Sequence, residues 1–255
     1  MDELHELFGL DGKTAIITGA SRGLGRAAVI ALNSAGANVV LIGRDGKMLD
    51  ETKSLLASPA KSTVFEADVT SAEEREKIIT AAVHTFGKID ILINNAGIIR
   101  RNPALKYTEK DWDDVIGTNL TSVFQWSQDA AKEMMKTGGG KIINIASLLS
   151  FSGGENVAAY AAAKGGVAQL TKALANEWAK HHINVNAIAP GYFITDATSA
   201  LRSDPVRSPL ILSRIPAGRY GEPNELAGAF IFLSSKASDY MFGHILTVDG
   251  GFNSY

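Results

Sequence analysis

Tyr160 and Lys164 lie four positions apart, so a helix there places both side chains on one face, one turn from each other. A phenol with a pKa near 10 is a poor base at neutral pH, but an ammonium held beside it favours the phenolate. The pair therefore reads as a proton donor and acceptor, Tyr160, tuned by Lys164. Ser147 closes an apolar run just upstream. A fixed hydroxyl there would hold and polarise a substrate oxygen while a proton moves, a role that needs no histidine or carboxylate to activate it. An isolated Tyr-x-x-x-Lys pair is usually an exposed helix face, so its meaning depends on the rest of the chain.

A second group of residues suits a phosphate-bearing ligand. The run Thr14 to Thr18 leads into Thr18-Gly19-Ala20-Ser21-Arg22-Gly23-Leu24-Gly25. Glycines at Gly19, Gly23 and Gly25 permit a tight turn and close backbone approach before a helix, whose first amides would receive a pyrophosphate with Ser21, Arg22 and Leu24 alongside. The spacing is Gly-x-x-x-Gly-x-Gly, not Gly-x-Gly-x-x-Gly. At the end of the second apolar run, Gly43 and Arg44 stand where an acidic residue would accept the adenosine ribose hydroxyls. Arg22 and Arg44 together could grip a 2′-phosphate, so the cofactor expected is NADP, with NAD as the alternative. Asp68 and Val69 follow the third run, and Asn94-Asn95-Ala96-Gly97 the fourth. Asp68 could receive the adenine amino group, Asn95, Ala96 and Gly97 could line the cofactor, and ordinary Asx capping is the competing explanation.

Seven short runs must carry these groups: Thr14 to Thr18, Asn38 to Ile42, Ser62 to Glu66, Ile89 to Asn94, Lys141 to Ala146, Ile183 to Ala189 and Ile245 to Val248. Several are apolar at consecutive positions, as strands covered on both faces are. Helical stretches between them run from Leu24 to Ala35, Ala72 to Phe86, Glu109 to Met135 and Ala158 to Lys180, with glycine stops at Gly36, Gly87 and Gly138. Alternating strands and helices predict an α/β fold: a Rossmann-like, doubly wound parallel sheet of about seven strands in three layers. No linker, charge block or repeat divides residues 1–255, which read as a single dinucleotide-binding catalytic domain. The least regular segment, 195–215, reads as a loop or substrate lid within it.

Composition removes other classes. In 255 residues, 25 Lys+Arg face 27 Asp+Glu, a net charge of −2, so no positive field favours nucleic acid or an anionic membrane. With no cysteine, disulfides, thiolate metal sites and a cysteine nucleophile are excluded. His5, His84, His181, His182 and His244 are scattered and form no His-Glu-x-x-His, so no metal site is expected. Acidic residues near the N-terminus and the lack of a long apolar run make a cytoplasmic protein, neither targeted nor membrane-spanning, the expectation. Trp112, Trp126 and Trp178 fall in helical stretches and read as core or subunit packing.

Taken in order, Thr18 to Gly25, Asn94 to Gly97, Ser147, Tyr160-Ala161-Ala162-Ala163-Lys164 and Pro190-Gly191 resemble the short-chain dehydrogenase/reductase family over nearly the whole chain. The resemblance implies an oxidoreductase that moves a hydride between a nicotinamide and a carbonyl or alcohol carbon, with Ser147, Tyr160 and Lys164 catalytic. It also implies that Asn119 anchors a water leading from Lys164, that Tyr160 and Lys164 contact the cofactor, and that Pro190, Gly191, Phe193 and Thr195 meet the nicotinamide. A homotetramer is implied as well, with Val248-Asp249-Gly250-Gly251 as a subunit contact and Glu109 to Met135 and Ala158 to Lys180 as faces. Asn94 to Arg101, Ile142 to Ser147 and Asn176 to Lys180 are similar to the sugar-acid branch, the gluconate 5-dehydrogenases and 2-deoxygluconate 3-dehydrogenases. A small anionic substrate would then meet Ser147 and Tyr160 at its alcohol and Arg101 at its carboxylate, with Arg100, Arg202, Arg207 and Arg214 as rival clamps. Two alternatives share the motifs: a 3-oxoacyl-[acyl-carrier-protein] reductase, and a non-catalytic dinucleotide-binding regulator.

Overall fold

The computed structural model describes residues 3–254. Its centre is one seven-stranded sheet: β1 Thr14–Thr18, β2 Asn38–Gly43, β3 Ser62–Glu66, β4 Ile91–Asn94, β5 Gly140–Ile145, β6 Ile183–Pro190 and β7 Ile245–Val248. The spatial order is β3-β2-β1-β4-β5-β6-β7, and every neighbouring pair is parallel. All five residues of β1 and all eight of β6 are buried, the result of covering both faces with helices.

The helices are α1 Glu3–Phe8, α2 Gly23–Ser34, α3 Gly46–Ser54, α4 Ala72–Phe86, α5 Glu109–Ile116, α6 Ser122–Lys136, α7 Ala158–Trp178, α8 Asp196–Arg202, α9 Arg207–Leu212 and α10 Ala227–Ser234. Alternate strand residues enter two cores. Ile17, Val39, Leu41 and Ile93 meet Val29 and Leu32 of α2 and Phe230 and Leu233 of α10. Ile16, Val40, Ile42 and Leu92 meet Ile78 and Ala82 of α4, Trp126 and Met134 of α6, and Leu174 and Trp178 of α7. This is the expected three-layer, single-domain, Rossmann-like sheet. Trp126 and Trp178 are core residues, whereas Trp112 is exposed.

Some boundaries differ from expectation. β4 begins at Ile91, because the buried Asp90 is committed elsewhere: its carboxylate accepts from Thr14 N–H at 2.9 Å and pairs with Lys13 and Lys88. The stretch from Glu109 to Met135 is not one helix. A π-helical turn, Gly117–Thr121, separates α5 from α6, and Ser122 Oγ donates to the Thr118 carbonyl at 2.6 Å within it. The final helix turn expected to reach Lys180 tightens to a 3₁₀ segment after Trp178. Residues 195–215 are not irregular throughout, since they contain α8 and α9, and α1, α3 and α10 add helices beyond those expected. Among the described residues no helix is long and apolar enough to cross a membrane, and no group of three or more His, Asp or Glu side chains gathers as a metal site.

Candidate active site

The chain reverses its winding direction between β1 and β4, and the candidate groups emerge from the carboxyl ends of the strands around that point. After β1 the glycine turn folds back on itself. Gly19 and Gly23 have φ of +66° and +56°, left-handed values that favour glycine. A Cβ on Gly25 would lie 2.0 Å from the Gly19 carbonyl oxygen, and one on Gly19 would lie 2.8 Å from Asn95 Nδ2. No side chain caps the start of α2 at Arg22. Bare backbone therefore lines a helix N-terminus, the cradle a pyrophosphate requires. Asn95 and Ala96 hold the end of β4 against the turn that follows β1. Asn95 Nδ2 donates to the Thr18 and Gly19 carbonyls, and both backbone N–H groups donate to Thr18 Oγ1, all at 3.0 Å, so this strand end braces the turn.

Farther out, Arg44 is exposed at the end of β2. Arg22 pairs with Asp196 of α8 at 3.1 Å, with both side chains more than half exposed, so a joint Arg22–Arg44 grip requires that weak pair to open. Asp68 Oδ1 accepts from the N–H and hydroxyl of Thr70, which holds its pKa below the ordinary carboxylate value with help from the Arg44 charge. Val69 is buried, and its carbonyl accepts from Trp126 Nε1 at 3.0 Å.

Ser147, Tyr160 and Lys164 come together as expected. Ser147 leaves β5 as the cap of a 3₁₀ turn, where its Oγ accepts from Leu149 N–H at 3.1 Å and keeps its own proton for donation. Ser150, which the sequence reading passed over, fastens the group. Its Oγ accepts from Ser147 N–H at 3.3 Å and donates to the Lys164 carbonyl at 2.7 Å. Its only sequence signal is a Ser-x-x-Ser spacing at a strand end. Lys164 is buried, lies 5.7 Å from the Tyr160 ring centroid, and donates through Nζ to the Ile145 carbonyl.

The electrostatics depart from expectation. Burial pushes the Tyr160 phenol up from its ordinary value, while the Ser147 hydroxyl and the Arg101 charge pull it down. Burial also lowers Lys164 to about 8. Near 8 Lys164 still holds its proton at neutral pH, and it is the Ser147 hydroxyl and the Arg101 charge that pull the phenol down. Asn119 sits buried in the π-helical turn, with Oδ1 accepting from Ile98 N–H and Nδ2 donating to Ile98 C=O, both at 2.8 Å. These two bonds clamp the side chain against the Ile98 backbone and leave one amide N–H and one oxygen lone pair over. A Cβ on Gly97 would touch Asn119 Oδ1 at 3.4 Å, which keeps that loop close.

Opposite these groups, Pro190 ends β6 and Gly191 passes so near Asp249 that a Cβ would lie 2.6 Å from its Cα. Phe193 is buried and pairs with Gly221. Thr195 reaches back over the glycine turn, its methyl 3.3 Å from where a Gly23 Cβ would lie. Arg100 is turned away towards Asp111 and Asp114, at 3.5 and 4.0 Å. Arg101 is exposed and close enough for its charge to act on Tyr160. The Asn102 N–H bond to the Asn156 carbonyl, 3.0 Å, fixes the loop that presents it.

A glycine cradle beside a Ser-Tyr-Lys group at the carboxyl edge of such a sheet defines a nucleotide-dependent oxidoreductase. The family model described as enoyl-(acyl carrier protein) reductase matches residues 19–253. The chain belongs to the short-chain dehydrogenase/reductase family, and it is an oxidoreductase acting on CH–OH groups with NAD(P). Among its relatives, the 2-dehydro-3-deoxy-D-gluconate 5-dehydrogenase of Escherichia coli (strain K12) is 50% identical over 248 residues, 96% of each chain. The gluconate 5-dehydrogenase of Gluconobacter oxydans (strain 621H) is 43% identical over 247 residues, again 96% of each. A crystal structure of a gluconate 5-dehydrogenase from Burkholderia cenocepacia, in complex with NADP and tartrate, superposes with a TM-score of 0.93 at 39% identity, covering 99% of this chain and 100% of that one.

Proposed function

We propose that this protein interconverts a secondary alcohol and a ketone on a small open-chain sugar acid, of the gluconate, 2-deoxygluconate or 3-deoxy-keto-acid type, using NADP in preference to NAD. The observation that carries the reading is Arg101: an exposed cation presented beside Tyr160, where a substrate carboxylate would lie. Relatives named for gluconate and its dehydro-deoxy derivatives support the same class. A bound nicotinamide would donate or accept the hydride. The chain does the rest.

The Ser147 hydroxyl donates to the substrate oxygen and fixes it against Tyr160, whose phenol gives up its proton in reduction and takes one in oxidation. Lys164 sits behind the ring and, together with Asn119, connects the phenol towards solvent. Gly19, Ser21, Arg22, Gly23, Leu24 and Gly25 receive the pyrophosphate, with Gly97, Pro190, Gly191, Phe193 and Thr195 at the nicotinamide end. Asp68 and Val69 border the adenine. Arg44, beside an Asp45 whose carboxylate is engaged as the cap of α3 by Met48 N–H, carries the NADP preference. Residues 195–215 act as the lid. We place the enzyme in the cytoplasm as a homotetramer.

Initial rates with 5-keto-gluconate, 2-dehydro-3-deoxygluconate, gluconate, 2-deoxygluconate and an acetoacetyl thioester, each with both cofactors, test this. One of the sugar acids should give the highest kcat/KM, with the phosphorylated cofactor. A thioester preference would replace the reading with acyl-chain reduction, and a higher kcat/KM with NAD would overturn the role of Arg44.

A further inference from the structure

Tyr192 follows the Pro190-Gly191 pair, and nothing above gives it a task. Its backbone is pinned, since Gly221 N–H donates to the Tyr192 carbonyl at 2.9 Å and Phe193 bridges Gly221. Its ring meets the edge of Phe252, with centroids 5.3 Å apart and planes at 61°. The Arg214 guanidinium lies over the other partner of that contact, 4.3 Å from the Phe252 ring centroid. Phe252 is itself held, because the Asp249 carboxylate accepts from Gly251 and Asn253 N–H, and Gly250 and Gly251 press against Ile215 and Pro216. The C-terminal segment thus sets Tyr192 and Arg214 side by side. Nearby, Ser208 of α9 shares a 2.9 Å hydrogen bond with Tyr220 and anchors the helix that begins at Arg207.

Arg101 lies within electrostatic reach of both this cluster and the Ser-Tyr-Lys group. Arg101 acts on both Tyr160 and Tyr192, and Arg214 and Arg207 act on Tyr192 from the lid side. Burial nevertheless pushes the Tyr192 phenol up, so it remains a neutral O–H donor among guanidinium groups. A neutral donor with several cations around it is complementary to a carboxylate. The relatives' names put the reacting carbon at position 5 of a gluconate, several bonds from the carboxylate. The acid end of such a molecule must be held beside Tyr160 but not at it.

We propose that Tyr192 and Arg214 are specificity-determining residues that, with Arg101, seat the substrate carboxylate at the C-terminal side of the groove. The proposal rests on the sugar-acid reading and narrows it: the acid end points towards Phe252 and the lid, and the C-terminal segment forms part of the substrate site. Tyr192→Phe keeps the ring packing and removes only the hydroxyl. Arg214→Gln removes the charge.

The test compares KM and kcat for the best sugar acid and for an uncharged ketose, together with calorimetric affinity for tartrate in the NADP complex. Each variant should raise the sugar-acid KM by about 10-fold or more, the loss expected of one hydrogen bond to a charged group. Values of kcat should stay within about threefold, and the ketose and NADP affinities should not change. Equal effects on sugar acid and ketose, or no effect on either, overturn the proposal. If the wild type turns over no sugar acid, the parent reading fails on its own. Tartrate affinity then decides this proposal separately: weaker binding in both variants upholds an anion seat, and affinity equal to wild type removes it.

Discussion

The proton chemistry rests on two buried groups whose environments pull them towards neutrality. Desolvation raises the Tyr160 phenol and lowers the Lys164 amine to about 8, so at neutral pH a neutral phenol stands beside an ammonium that gives up its proton more readily than a free lysine. For Lys164 this is also a statement about stability. An unfolded lysine keeps its proton to about 10.5, whereas the folded one releases it near 8. Between those values the unfolded chain binds more protons, so stability rises with pH across that window. At about 1.4 kcal/mol per pKa unit the gain is about 3 kcal/mol. Chemical denaturation at pH 7.5 and 10 should show Lys164→Met losing this rise relative to wild type; parallel profiles would mean that Lys164 is not desolvated. Ser147, Tyr160 and Lys164 could be picked out beforehand because their spacing survives in one dimension. Ser150 and Tyr192 could not, because a serine or tyrosine acquires meaning only from what tertiary packing brings against it.

Among the elements, the π-helical turn between α5 and α6 bears most directly on the site. It holds Asn119 against the Ile98 backbone by two 2.8 Å hydrogen bonds, and so holds the loop that presents Arg101. Asn119→Ala leaves a buried N–H and C=O unpaired and should cost about 2 kcal/mol or more in urea unfolding. It should also raise the KM for the acidic substrate; unchanged stability would show that the loop is held by other means. The apolar pattern runs unbroken from Glu109 to Met135, so nothing in its periodicity marks the extra residue that a π turn absorbs. Helix α10 escaped for the opposite reason: Ala227 to Leu233 is almost wholly apolar and shows no face, although Phe230 and Leu233 fill the core under α2. The central strands were legible because residues buried on both sides leave consecutive apolar runs; the half-buried edge strands β3 and β7 were read from their position in the strand–helix alternation.

At the scale of the whole molecule, large apolar side chains remain at the surface of several elements. Trp112 of α5 and Phe124 of α6 are exposed on either side of the π-helical turn, and Tyr240 and Phe242 are exposed just before β7, the edge strand. Two such regions suit the two kinds of contact a tetramer with dihedral symmetry uses. Light scattering should give four times the chain mass, and Trp112→Glu with Phe124→Glu should reduce it to a dimer. A monomer in the wild type would refute the assembly.

In the proposed mechanism Tyr160 handles the proton while other groups bind. The direct measurement is Tyr160→Phe, assayed for turnover of the preferred sugar acid and, separately, for NADP affinity by calorimetry. Turnover should fall by about 10³-fold, within the range that a positioned proton-transfer group contributes, while affinity for NADP stays within about threefold. A variant that binds NADP normally and keeps turnover within tenfold of wild type would contradict the mechanism.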